Sequence, residues 1–234
     1  MKTVIITGAS SGIGLSTAIK LKKQGFNVVG TYLKNESVAI ETENKYGVKF
    51  IKCDVSDYKS VENLFDFAIK TYNKIDVVIA NAGVALEQKL LIDASVLEIQ
   101  SVIETNCLGA IYTDKLAVQN MLSLGGKIIN VSSIFGLTGG SCEAVYTSTK
   151  SAIIGLTRAL SLELTSSNIE VCAILPGLID TPMNSRLSLE DKLEFVKEYG
   201  LNEVPKADYV ADEIYKIIKS TESVNGKIFE LLGK

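Results

Sequence analysis

Tyr146 and Lys150 stand four residues apart in "YTSTK". On a helix that spacing puts a phenol and an ammonium on one face, one turn apart. Alone, such a pair could be an ordinary solvated helix surface. It gains weight from what the chain lacks: none of the 234 residues is histidine, so no Ser-His-Asp triad, Cys-His dyad or histidine metal site can be assembled. Acid–base work near neutral pH must fall to a carboxylate, lysine, tyrosine or cysteine with a displaced pKa. A free phenol titrates near ~10, and a neighbouring ammonium is expected to draw that value down by favouring the phenolate. Ser132 and Ser133 close the apolar run "KIINVSS". Alternation along a strand sends the two to opposite sides, so one is expected at a site and the other in a strand-end hydrogen bond. Cys53, Cys107, Cys142 and Cys172 are widely spaced and form no CxxC pair. They are expected to be scattered reduced thiols, with no disulfide framework and no metal site.

A second chemical signal lies at the other end of the chain. "TGASSGIG", Thr7 to Gly14, follows the apolar run Val4-Ile5-Ile6 and opens an amphipathic segment. Gly8, Gly12 and Gly14 allow the backbone of such a turn to approach a bulky anion. The start of the next helix then offers unpaired N–H groups and a positive dipole end to a pyrophosphate. The spacing is G-x-x-x-G-x-G, and a glycine-rich turn by itself also fits a tight loop with no ligand; its position between the first strand and first helix favours a dinucleotide.

The elements that must position these residues alternate along the chain. Strand-like runs are "TVIIT", "NVVGTY", "VKFIKCD", "IDVVIAN", "GKIINVSS", "IEVCAILPG" and "GKIFEL". Between them lie helical patterns at 13–24, 37–46, 59–72, 97–122, 144–165, 189–198 and 207–219. Several strands are apolar throughout, the mark of parallel strands buried on both faces. The expected class is therefore α/β with a doubly wound parallel sheet in three α/β/α layers. Ligands of such sheets bind beyond the carboxyl ends of the strands, where the strand order reverses. With 47% hydrophobic residues, three prolines and no linker-like tract, residues 1–234 are expected to form a single domain. The net charge of −3 argues against a general nucleic-acid binder. No apolar stretch approaches the ~18 residues of a membrane span, and "MKTVIITG" is too short in its apolar part for a signal peptide, so a cytoplasmic protein is expected.

Taken together and in order, "TGASSGIG", "NAG" at Asn81–Gly83, "VSS" at Val131–Ser133, "YTSTK" and "PG" at Pro176–Gly177 resemble the short-chain dehydrogenase/reductase family over essentially the whole chain. The similarity is greatest to its bacterial 3-oxoacyl-[acyl-carrier-protein] reductases, whose substrate-side helix region "PGLIDTPMNSRLSLEDK" resembles. That resemblance implies a Rossmann fold, a nicotinamide cofactor and a catalytic set of Asn106, Ser133, Tyr146 and Lys150. Ser133 would polarise a carbonyl and Tyr146 protonate it. Lys150 would hold the nicotinamide ribose and lower the tyrosine pKa. The side chain or backbone of Asn106 would hold a relay water. The pyrophosphate would lie against Gly8, Ser10, Ser11, Gly12, Ile13 and Gly14, and the adenosine against Asp54, Val55, Asn81, Ala82 and Gly83. The nicotinamide carboxamide would meet Pro176, Gly177, Ile179 and Thr181. An Asn within a helix is intrinsically unfavourable, which suits either a functional or a buried structural role.

Tyr32 occupies the position where NAD-preferring relatives carry an acidic residue, and Ser11 the position where NADP-preferring ones often carry arginine. With no carboxylate to repel a 2′-phosphate and Lys34 close by, NADP(H) is favoured and NAD remains possible. The expected reaction is NADPH-dependent reduction of a 3-oxoacyl group on an acyl carrier protein, as in fatty acid biosynthesis, with 183–203 as the substrate-side segment. Lys127, Arg158 and Arg186 are the candidate cations for an acidic carrier. Other readings are a carbonyl or alcohol on a sugar, steroid, amino-ketone or modified protein side chain, or a dinucleotide sensor without turnover. The resemblance also implies a homotetramer packed through the 97–122 and 144–165 helices.

Overall fold

The structure is a computed structural model that describes residues 1–233. Seven strands, β1 (Thr3–Ile6), β2 (Asn27–Tyr32), β3 (Lys49–Lys52), β4 (Val77–Ala80), β5 (Gly126–Val131), β6 (Ile169–Pro176) and β7 (Ile228–Leu231), form one sheet in the order β3-β2-β1-β4-β5-β6-β7. Every pairing is parallel. The order reverses between β1 and β4, so the crevice of the doubly wound sheet opens at the carboxyl ends of those two strands.

The uninterrupted apolar runs follow from burial on both faces. In β1, Val4 and Ile6 join the cluster with Ala18 and Leu21 of α1 (Gly12–Lys23) and Val210 and Ile214 of α9 (Ala207–Lys219). Ile5 turns to the opposite layer, against Leu64 and Phe65 of α3 (Tyr58–Tyr72) and Leu116 and Met121 of α5 (Gly109–Met121). α2 (Glu36–Tyr46), α7 (Ala144–Glu163) and α8 (Leu189–Lys197) complete the long segments. Among the described residues no helix is long and apolar enough to cross a membrane.

The segment expected as one helix over 97–122 is divided. α4 (Val96–Ile103) runs into a π turn at Glu104–Leu108, closed by the Gly109 N–H donating to the Glu104 carbonyl, and α5 follows. Hydrophobic periodicity does not reveal a single inserted residue, so the sequence reads through it. A further four-residue helix, α6 (Phe135–Thr138), forms just after β5, where none was expected.

One buried polar cluster ties α5, β5 and α7 together. Asn130 Nδ2 donates to Asp114 Oδ2 at 2.9 Å and to Thr157 Oγ1 at 3.1 Å. Asp114 Oδ1 and Asn130 Oδ1 are buried acceptors without a donor. Burial raises the Asp114 carboxyl to about 7, against the opposing pull of Asn130. A proton on Asp114 supplies the donor that the two leftover acceptors lack. Because the folded-state value lies above the ordinary 3.8, this stabilisation is complete below that value and is lost as pH rises through about 7. Asp114→Asn, which keeps a neutral amide here, should therefore lose less thermal stability than wild type between about pH 4 and about pH 8. Parallel melting curves for the two proteins would contradict this.

Candidate active site

The glycine turn is fixed from two sides. The Gly8 N–H donates to Thr31 Oγ1 (2.9 Å) and the Ala9 N–H to the Thr31 carbonyl (2.8 Å), while Asn81 Nδ2 donates to the carbonyls of Thr7 (2.8 Å) and Gly8 (3.2 Å). The Asn81 and Ala82 N–H groups both donate to Thr7 Oγ1. Strand β1 is thus stitched to β2 and to the end of β4 at the crevice. Gly8 and Gly12 have φ of +66° and +50°, a left-handed backbone that favours glycine. Gly14 serves a different need: a Cβ there would lie 2.4 Å from the Gly8 carbonyl oxygen and 2.6 Å from Asn81 Nδ2. Ser11 caps α1 in an extended conformation and makes no side-chain cap bond, so the helix start presents its N–H groups and this hydroxyl to the crevice.

At the other end, Ser133, Tyr146 and Lys150 line the same cleft. Ser132 borders it too, but its hydroxyl is committed, donating to the Lys150 carbonyl at 2.7 Å. Ser133 Oγ accepts from the Phe135 N–H at 3.2 Å, which leaves its own proton to donate. Lys150 is buried, its Nζ donating to the Val131 carbonyl at 2.9 Å and lying 5.6 Å from the centre of the Tyr146 ring. Burial lowers Lys150 to about 8. The same cause pushes Tyr146 up to about 12, with the Ser133 hydroxyl pulling the other way and Glu143 adding to the rise. Desolvation is the largest influence on the phenol, which lies above its ordinary value.

Asn106 sits in the π turn and does not line the cleft. Its Oδ1 accepts from the Val84 N–H (2.8 Å), and its Nδ2 donates to the Val84 carbonyl (2.9 Å) and Thr149 Oγ1 (3.1 Å). These bonds fix the side chain against Val84 and Thr149 and leave Oδ1 with capacity for one further donor. The backbone alternative stands, because a π turn leaves carbonyls outside the α-helical bonding pattern. A Cβ on Gly83 would lie 3.3 Å from Asn106 Oδ1 and 3.5 Å from Lys150 Nζ, so the "NAG" glycine lets these groups share one nook.

Ser10, Ile13, Lys34, Asp54, Val55, Ala82, Pro176, Gly177, Ile179 and Thr181 all border the cleft, with Gly8, Ser11, Gly12, Asn81 and Gly83. Tyr32 does not; its hydroxyl donates to Glu36 Oε1 at 2.9 Å, which draws the ring towards α2. Leu33, Lys34 and Asn35 form the rim in its place. Lys127 is the second residue of β5, at the amino end of the strand away from the crevice, and pairs with Glu170 at 3.1 Å, so it cannot serve a partner docked at the crevice. Arg186 lies 3.7 Å from Glu87. Met183 and Phe195, from the expected substrate-side segment 183–203, line the cleft, and so do Phe135 and Glu143, which sequence reasoning missed. Phe135 carried no signal beyond hydrophobicity. Glu143 stands three residues before Tyr146, a spacing that could have marked it.

The cleft has a volume of about 510 Å³ and runs from the rim at Lys34 and Asp54, past the glycine turn, to Tyr146. Two left-handed glycines, a helix start free of side-chain capping and the narrow nook at Gly83 fit an extended nucleotide with a central pyrophosphate. A family model described as short chain dehydrogenase matches residues 2–192. A 3-oxoacyl-[acyl-carrier-protein] reductase from Chlamydia trachomatis is 39% identical over 99% of this chain and 96% of the relative. A solved structure named ElxO with NADP bound is 28% identical, with a TM-score of 0.89 over 98% of this chain and 96% of that one. The 3-ketoacyl-(acyl-carrier-protein) reductase from Brucella melitensis complexed with NADH has the same fold, with a TM-score of 0.91 at 21% identity over 98% of this chain and 96% of that one. Matched in sequence over most of its length and in fold over nearly all of it, the chain belongs to the short chain dehydrogenase family and is an NAD(P)-dependent oxidoreductase.

Proposed function

We propose that this chain reduces 3-oxoacyl thioesters carried on acyl carrier protein, using NADPH. The observation that carries the reading is the convergence of Ser133, Tyr146 and Lys150 at the end of a dinucleotide-shaped cleft opposite its phosphate-binding turn. The nicotinamide, when bound, supplies the hydride. Ser133 donates to the carbonyl oxygen as negative charge develops there. Tyr146, protonated at neutral pH because burial raises it, hands that oxygen its proton. Lys150, anchored on the Val131 carbonyl, holds the ribose side of the nicotinamide. Phe135, Phe195 and Met183 give the substrate end an apolar wall, suited to an acyl chain, and the Chlamydia relative is named for this activity.

The phosphate preference rests on Lys34 at the rim, beside Asn35 and Ser11. A charge-assisted contact contributes about 1.5–3 kcal/mol, roughly ten- to a hundredfold in affinity. Wild type should bind NADPH more tightly than NADH, less so at high salt, and Lys34→Ala should erode the difference. Equal binding by wild type at low salt would remove Lys34 from the cofactor site. Turnover is tested on a panel of acetoacetyl thioesters, small ketones, sugars and steroids with both cofactors. Good rates on a non-thioester with none on thioesters would reassign the substrate.

The assembly we propose is a homotetramer. Val96 and Leu97 on α4 and Leu162 on α7 are 69%, 78% and 77% exposed, large apolar side chains on helices with no covering layer. Sedimentation should give four times the 25.2 kDa chain mass. A monomer at micromolar concentration would contradict it.

A further inference from the structure

Phe135 follows closely on Ser133 in the chain, and the serine itself fixes its place: the Phe135 N–H donates to Ser133 Oγ at 3.2 Å. The short helix α6, which Phe135 opens, is tied to α7 by Ser151 Oγ donating to the Gly136 carbonyl at 2.8 Å. A Cβ on Gly140 would lie 3.1 Å from Cδ2 and Cε2 of Phe135, so bare backbone there gives the ring its seat. Phe195 comes from α8, in the substrate-side segment. That helix starts with a capping box between Ser188 and Asp191, holds Asp180 Oδ1 through Lys192 Nζ at 3.1 Å and buries Val196. Its ring is therefore carried on an anchored element.

The two rings meet. Their centroids are 5.7 Å apart and their planes cross at 84°, an edge-to-face contact. Tyr199 also packs against Phe195, with 5.5 Å between centroids. Rings at these separations are in van der Waals contact, and no methylene chain passes between them. Phe135 and Phe195 both line the cleft, so two separate elements are joined at its substrate end. The whole cleft is about 510 Å³. Sites for a single drug-sized ligand run to about 300–1,000 Å³, and here a dinucleotide must share the space with the substrate.

We propose that the Phe135–Phe195 pair determines substrate length: it stops the acyl end of the cleft and restricts the enzyme to short 3-oxoacyl groups. The inference rests on 3-oxoacyl thioesters being the substrate. Ser133 fixes where the carbonyl oxygen lies, and the Phe135 backbone is bonded to that serine, so a chain leaving the carbonyl meets the pair early. A longer chain fits only if the rings part. Parting forfeits the aromatic contact, a factor of roughly two- to tenfold, and adds the strain of overfilling a packed pocket. Met183, the other apolar residue of this wall, is about half exposed and flexible, so it yields where the paired rings do not.

The test compares kcat/KM for acetoacetyl, 3-oxooctanoyl and 3-oxododecanoyl groups on acyl carrier protein with NADPH. A ratio between two substrates within one variant does not depend on how much of that variant is folded. Wild type should favour acetoacetyl over 3-oxododecanoyl at least about tenfold. Phe195→Ala and Phe135→Ala should each cut that ratio on the order of tenfold. The double variant should gain little more, because removing either ring opens the same barrier. A wild-type ratio near one, or a ratio that neither substitution changes, overturns the proposal. Additive gains in the double variant would overturn the pair as a single barrier. No turnover of any thioester, beside turnover of plain methyl ketones, would sink only the thioester reading; the same ratio over short- and long-chain methyl ketones then decides the role of the pair.

Discussion

Tyr146→Phe should lower turnover on the order of 10³-fold while leaving NADPH affinity nearly unchanged. The substitution removes one hydroxyl and keeps the ring that lies 5.6 Å from Lys150 Nζ. No hydrogen bond from that hydroxyl to the glycine turn or to Lys150 is lost, because Lys150 is held by the Val131 carbonyl and the turn by Thr31 and Asn81. What disappears is the proton donor, which burial keeps protonated at neutral pH. Lys150→Ala should differ in kind, weakening dinucleotide binding as well as turnover. Steady-state rates beside a fluorescence titration of NADPH separate the two outcomes. Near-normal rates in Tyr146→Phe would assign the proton transfer to another group.

The second large effect is expected of Gly14→Ala. The added methyl would meet the Gly8 carbonyl oxygen at 2.4 Å and Asn81 Nδ2 at 2.6 Å. Neither neighbour can yield cheaply: Gly8 already holds a left-handed φ, and Asn81 ties the β4 end to the turn. Overpacking of this kind costs about 1–3 kcal/mol. Here the displaced atoms also shape the phosphate site, so NADPH affinity should fall at least tenfold beside the lowered melting temperature. A variant that melts like wild type and binds normally would show that the helix start moves freely against the turn.

Most of the sheet was legible because its central strands are buried on both faces and so spell their positions as apolar runs; β2 matches "NVVGTY" residue for residue. The Ser133, Tyr146 and Lys150 group was legible from motif spacing. What stayed hidden depended on third dimensions of packing. The π turn adds a residue without disturbing the hydrophobic period, and only the awkward mid-helix Asn106 hinted at it. The hydrogen bonds of Asn106 depend on Val84, more than twenty residues away. The direction in which Tyr146 titrates depends on how dry its surroundings are, which residue type does not reveal. Tyr32 stays off the cleft, its hydroxyl held by Glu36, the first residue of α2. Lys127 was legible as preceding a strand run, and it lies away from the crevice because a parallel strand delivers only its carboxyl end there.

The most direct measurement is a single turnover of purified wild-type protein saturated with NADPH and mixed with acetoacetyl thioester, following the nicotinamide band and the product. The expected result is loss of about one NADPH per active site with formation of the 3-hydroxy thioester, and the same loss slowed on the order of 10³-fold in Tyr146→Phe. Tight NADPH binding without oxidation by the thioester or by any other carbonyl compound offered would contradict a reductase and leave a dinucleotide-binding protein.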